Sequence, residues 1–347
     1  MKTRPLGRNG ILVSEICLGT MTWGSQNNQG EANAQLDRAA AAGVNFIDTA
    51  EMYPTTPRRA ETTGRTEEIL GNWLAGRPDR DRLVVATKAT GEGNMAVRGG
   101  ARVTGRILRE ALEGSLKRLR TDHVDLYQLH WPNRGSYHFR RYWTYDPRAQ
   151  NFHDMDGEVA DLLGEVQRLI GEGKVRAFGL SNETAWGLMK FLQAAERHDL
   201  PRVASVQNEY SLLCREFDTD MAEACVAEDV TLLAYSPLAA GLLSGKYRNG
   251  AIPAGSRLTV QDKLYGRVTE RSQEAVIRYC EIAARHGMHP AQLALAFCLA
   301  RPFPTIPIMG ATSMEQLETD LASADVELSA QIVDEIDAVH RALPRPM

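Results

Sequence analysis

Eight short apolar runs, each followed by a longer stretch of helical period, recur along the chain every few tens of residues. The runs are Glu15 to Thr20, Val44 to Ala50, Arg82 to Ala89, His123 to His130, Lys174 to Asn182, Val203 to Tyr210, Val230 to Pro237 and Thr305 to Thr312. Strands that alternate with helical segments read as βαβ units, whose strands lie parallel. Between Arg106 and Leu119 the helical pattern is explicit: Ile107, Leu108, Ala111, Leu112, Ser115, Leu116 and Leu119 fall on one stripe at i, i+3 and i+4 spacing, which predicts a face packed on the sheet. No Pro, Gly or Ser-rich linker divides the 347 residues. The pattern therefore predicts an α/β fold, a (β/α)8 TIM barrel, with residues 1–347 as one domain. Ahead of the first strand, Asn9-Gly10 between short apolar pieces predicts a type I′ hairpin that plugs the barrel. After the eighth, SMEQLETDLAS and LSAQIVDEIDAVHRAL predict C-terminal helices.

Forty basic against forty-four acidic side chains leave a formal charge of −4, with no general attraction to nucleic acid or anionic membranes. The N-terminal residues lack the apolar core of a signal peptide, and no run reaches the roughly 18 apolar residues of a membrane span. A cytoplasmic location is expected. Five scattered cysteines without C-x-x-C spacing read as reduced, buried residues.

A barrel places its chemistry at the C-terminal ends of its strands. The second run ends in Asp48, with Tyr53 five residues on; the third ends at Lys88; the fourth ends at His130, before Trp131. Together these side chains form a proton-donor set for a carbonyl. A phenol with a pKa near about 10 is a weak acid, and a neighbouring ammonium, Lys88, favours its phenolate. Asp48 would make that ammonium tolerable in a partly buried site, and His130 would orient the substrate oxygen.

At these residues the chain resembles the aldo-keto reductase family, almost end to end, in the branch of bacterial reductases and potassium-channel β subunits. The matching stretches are LGTMTWG, NFIDTAEMY, ATK, DLYQLHWP, GLSN, QNEYSLL, AYSPLAAGLLSGKY and MGATSMEQL. The resemblance implies NADPH-dependent reduction of aldehydes or ketones without a metal. Tyr53 would be the acid, Lys88 and Asp48 would tune it, and His130 would orient the carbonyl.

Amide side chains suit recognition of a carboxamide, since they donate and accept at once. Asn182 and Gln207, with Ser181 beside them and the Tyr235 ring for stacking, take that role by the resemblance, which also implicates Thr20, Met21 and Asp48. The segment from Ser236 through Pro237, Leu238, Gly241 and Ser244 supplies backbone donors and hydroxyls for the phosphates, with Lys246 and Arg257 as cations. Similarity to the channel-β branch places Arg257 near the ribose phosphate. Gly310, Thr312 and Gln316 match the adenine end. There the chain departs from the family, with Asp320 where an asparagine is frequent.

Gly91, Gly93 and Ala96 match a relaxed dinucleotide fingerprint, but the adjacent Gly99 and Gly100 stand where its helix should begin. The long stretch after the fourth run, 132–157, interleaves Tyr137, Phe139, Tyr142, Trp143 and Tyr145 with Arg134, Arg140, Arg141 and Arg148. At a barrel's catalytic face it reads as a substrate lid, and Arg140 and Arg141 facing the mouth would attract anionic carbonyl compounds. Trp23 and Trp131 are expected to form an apolar floor near Tyr53. Two other readings stay open: a redox-sensing subunit that holds NADPH with slow turnover, and a lyase with a Schiff base on Lys88.

Overall fold

The computed structural model describes residues 1–150 and 152–347. It opens with β1 (Thr3–Pro5) and β2 (Leu12–Ser14), paired antiparallel. Their turn differs from the expected one. The Leu6 amide donates to Ile11 O at 2.9 Å, and the loop so closed turns left-handed only at Gly7 and Gly10. A type I′ turn needs positive φ at both Asn9 and Gly10; Asn9 instead uses Oδ1 to accept from the Ile11 amide at 2.9 Å. At Gly7 the loop presses so near the barrel that a Cβ would stand 2.6 Å from Ala204 O.

The chain then alternates through β3 (Cys17–Gly19), α1 (Gln29–Ala41), β4 (Phe46–Asp48), α2 (Arg65–Leu74), β5 (Val84–Ala89) and α3 (Gly105–Leu119). It continues with β6 (Val124–Leu129), α4 (Met155–Gly171), β7 (Val175–Ser181), α5 (Ala185–His198), β8 (Val203–Glu209), α6 (Asp220–Glu228) and β9 (Thr231–Tyr235). A segment of short 3-10 turns leads to α7 (Glu270–Arg285) and α8 (Pro290–Leu299), followed by β10 (Thr305–Met309), α9 (Met314–Leu321) and α10 (Ala330–Ala342). Strands β3 to β10 close into one barrel in chain order, every neighbouring pair parallel. Each of the eight apolar runs contains one of these strands, which is shorter than its run.

On α3 the whole expected stripe is buried, and Thr104 caps the helix by accepting from the Ile107 amide. Of the two C-terminal helices, α9 packs between α8 and α1 and completes the outer ring, while α10 packs on α7. Among the described residues no helix is long and apolar enough to cross a membrane.

Side chains two apart on a strand share a face, so Phe46 leads to Asp48, Val84 and Ala86 to Lys88, and Leu126 to Gln128. The lower layers are apolar: Leu6 and Val13 of the hairpin pack with Phe46, Val84, Leu126 and Leu233. This is the expected plug. One layer higher, at the C-terminal ends, the interior turns polar.

Candidate active site

That upper layer is a closed hydrogen-bonded set. Lys88 Nζ donates to Asp48 Oδ1 at 2.6 Å and to Thr49 O at 2.7 Å, and lies 3.4 Å from Tyr53 Oη. Asp48 Oδ2 accepts from Gln207 Nε2 at 2.9 Å and from Gln128 Nε2 at 3.2 Å. Two charges removed from water persist only when their remaining polar atoms are satisfied, and here four groups do this. Sequence reasoning missed Gln128. Its signal was present, since it stands two residues before His130 on the same inward face and pairs in register with Lys88. Gly179 leaves it room: a Cβ there would meet Gln128 Cγ at 3.2 Å and Ser205 Oγ at 2.6 Å.

Tyr53 is set by its turn rather than by a strand. Its amide donates to Ala50 O at 3.0 Å, and its carbonyl accepts from Gly64 at 3.0 Å, just before α2. Behind it, the buried Glu51 pairs with Arg98 and accepts from the Thr90 amide. Burial pushes the Tyr53 phenol up, and the Lys88 charge pulls it down without reversing the shift. The expected tilt toward phenolate is therefore only partial, and the phenol keeps its proton at neutral pH. For Lys88, burial acts against the charge, but Asp48 and Tyr53 outweigh it and the ammonium is favoured. His130 is held well below the ordinary imidazole range by burial, then by the charges of Lys88 and Arg58. Its ring is thus neutral, set edge-on to Tyr53 at 5.8 Å, with Nδ1 buried and unpartnered. A protonated phenol backed by an ammonium, beside a neutral imidazole, can hand a proton to an oxygen that gains charge.

Tyr53, His130 and Trp131 face a cavity of about 920 Å³. The same walls include Thr20, Met21, Asp48, Ser181, Asn182, Gln207 and Tyr235, then Ser236, Pro237, Leu238, Gly241, Ser244, Lys246 and Arg257, and finally Gly310, Thr312, Gln316 and Asp320. Lys88 is fully buried behind them and does not reach the cavity. Trp23 corrects an expectation. It is 0% exposed and lines no part of the cavity, because its indole Nε1 donates to Gln35 at 3.0 Å in the packing against α1.

The amides are less free than expected. Asn182 Nδ2 donates to His130 O and Ser181 Oγ, and its Oδ1 accepts from Tyr235 Oη at 2.8 Å. The Gln207 amino group is spent on Asp48 and Gln128, which leaves its Oε1 as an acceptor toward the cavity. Arg257 donates to Thr56 Oγ1 at 2.9 Å, and its Nε is buried without a partner.

Asp320 is 2% exposed, and burial raises its carboxyl to about 8 despite the pull of Lys246. It is therefore mostly protonated at neutral pH and both donates and accepts, as an asparagine would. Between the unfolded carboxyl's ordinary range and about 8, the folded protein holds a proton that the unfolded chain has lost, so this group's contribution to stability falls as pH rises. Asp320→Asn removes that dependence. The melting temperature of the variant should gain on that of the parent as pH climbs toward 8 and hold a constant lead above it; a lead independent of pH throughout would show that Asp320 is charged in the folded protein.

The long loop after β6 reaches only to Asp154, since α4 takes the last residues of the expected 132–157 stretch; residue 151 lies outside the described residues. Its first part is fixed to the strand ends. Ser136 Oγ donates to Asn182 O at 3.0 Å, Arg134 pairs with Glu183, and Arg140 Nη1 donates to Glu209 Oε2 at 2.8 Å. Arg140 is thus neutralised, whereas Arg141 is exposed. The Gly91 fingerprint opens no helix, for α3 begins only at Gly105. Gly91 instead lies under Trp131, whose ring a Cβ would meet at 2.3 Å.

The fold is an eight-stranded parallel barrel, and at its mouth a tyrosine, a lysine–aspartate pair and a histidine stand together beside a cavity of about 920 Å³. Comparison with known proteins gives the family. The chain belongs to the aldo/keto reductase family, whose model matches residues 15–341, and by that membership it is an NADP(H)-dependent oxidoreductase of carbonyl compounds. It is 45% identical to Protein tas of Escherichia coli, over 100% of this chain and 99% of that one. It is 32% identical to the uncharacterized oxidoreductase YrpG of Bacillus subtilis, over 94% and 92% of the two chains. A probable voltage-gated potassium channel subunit beta of Oryza sativa is 31% identical, over 99% and 98%.

Proposed function

We propose that residues 1–347 form one catalytic unit that reduces aldehydes or ketones to alcohols with NADPH. The observation that carries this is the protonated Tyr53 phenol at the cavity wall, 3.4 Å from the Lys88 ammonium. NADPH, held by the cavity's side chains, would supply the hydride for the carbonyl carbon. Tyr53 gives its proton to the carbonyl oxygen, Lys88 steadies the phenolate that remains, and Asp48 holds Lys88 in place. His130, neutral, donates a hydrogen bond that orients the same oxygen, and Trp131 covers the substrate. A Schiff base on Lys88 fits poorly, because its Nζ is enclosed and bonded to Asp48 and Thr49.

The cavity's donors fit a phosphorylated dinucleotide. Arg257 is a largely buried cation with a free Nε and no carboxylate within 4.0 Å among the described residues. A guanidinium fork so placed suits a phosphate dianion. Arg257→Ala should weaken NADPH binding by about 1.5 to 3 kcal/mol, the scale of a hydrogen bond to a charged group, and change NADH binding little. Fluorescence titration of both cofactors checks this, and an equal loss for the two would make Arg257 a support of its loop. The function itself is tested by following NADPH consumption over a panel of aldehydes, ketones and quinones beside Tyr53→Phe.

A further inference from the structure

The cations around the cavity fall into two groups. Arg140 and Arg267 share the Glu209 carboxylate, at 2.8 Å each, and are neutralised. Arg58, Arg141, Lys246 and Arg257 line the same cavity with no carboxylate within 4.0 Å among the described residues. Two of these four stand where the cofactor reading needs them: Lys246 acts on Asp320, and Arg257 bonds to Thr56 beside Met21.

Arg58 and Arg141 belong to the other end. Arg58 is near enough to His130 for its charge to act on the imidazole. Arg141 follows Phe139 by two residues, and the Phe139 ring packs edge-on at 6.0 Å against Trp131, itself 5.1 Å from His130. An aromatic wall thus runs from the reacting centre toward Arg141. Glu92, the acid on this side of the lining, is drawn to Arg102 at 3.6 Å. The substrate end therefore carries positive charge from two loops without a matching acid. A cleft of one sign focuses its field and concentrates opposite charge.

We propose that Arg58 and Arg141 form an anion-selecting rim, so that the preferred substrates are aldehydes or ketones bearing a carboxylate or phosphate tail remote from the reacting carbonyl. This rests on the carbonyl-reductase reading above and narrows it. The carbonyl sits at Tyr53 and His130, the body of the substrate lies along Trp131 and Phe139, and the tail meets a guanidinium fork, which suits either anion.

The test compares the full-length protein and its Arg58→Met/Arg141→Met variant, with NADPH, on 4-carboxybenzaldehyde, 4-formylphenyl phosphate and the neutral methyl 4-formylbenzoate. At low salt, kcat/KM of the parent should favour at least one anionic aldehyde over the ester by about tenfold or more, the scale of one charged hydrogen bond. That preference should shrink in the double variant and, in the parent, with added salt. Both residues are exposed, so folding is not at stake. The preferred anion identifies the tail. NADPH affinity, followed by tryptophan fluorescence, should be the same in both proteins. Equal use of all three aldehydes by the parent, a preference that survives the substitutions, or a loss of NADPH affinity in the variant would each overturn the proposal; the last would give these arginines to the cofactor. Turnover of the methyl ester alone would still uphold carbonyl reduction, whereas no turnover of any of the three would overturn both.

Discussion

Replacing Tyr53 with Phe should lower kcat by about 100-fold or more, the range for loss of a positioned acid, while leaving NADPH affinity almost unchanged. The substitution removes one oxygen atom and keeps the ring, so its edge-on packing with His130 and its place over Lys88 remain. What disappears is the phenol proton held at the cavity wall, 3.4 Å from the Lys88 ammonium. Steady-state turnover beside a fluorescence titration separates the two quantities. Unimpaired turnover in the variant would remove Tyr53 from proton transfer, and a parallel collapse of cofactor affinity would show that the phenol shapes the cavity instead.

A larger loss of stability is expected from Lys88→Met. Methionine fills much of the same space but leaves Asp48 buried and unpaired at 2% exposure. Removing one member of a buried ion pair costs about 3 to 5 kcal/mol, most of it from stranding the other charge. The urea midpoint should fall accordingly with little change in slope. Adding Asp48→Asn to the Lys88→Met protein should recover part of that loss, because a neutral amide can still take the hydrogen bonds of Gln207 and Gln128. If the second substitution instead adds its own full cost, the two residues are not energetically coupled, and the polar layer is held together by something other than this pair.

The barrel was legible because its signal is periodic and repeated. Eight apolar runs leave few alternatives, and the stripe on α3 could be read residue by residue. That Asp48, Tyr53, Lys88 and His130 come together was legible for the related reason that a barrel sends its strand ends to one place. What escaped depended on contacts the linear pattern does not carry. Gln128 looks like any polar residue within a strand until the inward face is known. Trp23 looked like a pocket wall, but its indole nitrogen had a buried partner in Gln35, six residues into the next helix region. The enclosure of Asp320 was not legible, since nothing in its neighbours along the chain reveals that folding would bury it. The Asn9-Gly10 turn failed for a local reason: Gly7 also turns left-handed, which lets the loop bend tightly against Ala204.

The division of the barrel interior into an apolar base and a polar crown also bears on how such a protein can change over generations. Residues of the base touch their neighbours only through volume, so a lost methyl at Val84 or Leu126 can be answered by a gained one nearby, in small and separate steps. The crown allows no such gradual path. Asp48 holds Lys88, Gln128 and Gln207 at once, so any single exchange there strands at least one partner. Inherited variation should therefore collect in the base and the outer loops, while the crown passes from ancestor to descendant as a unit.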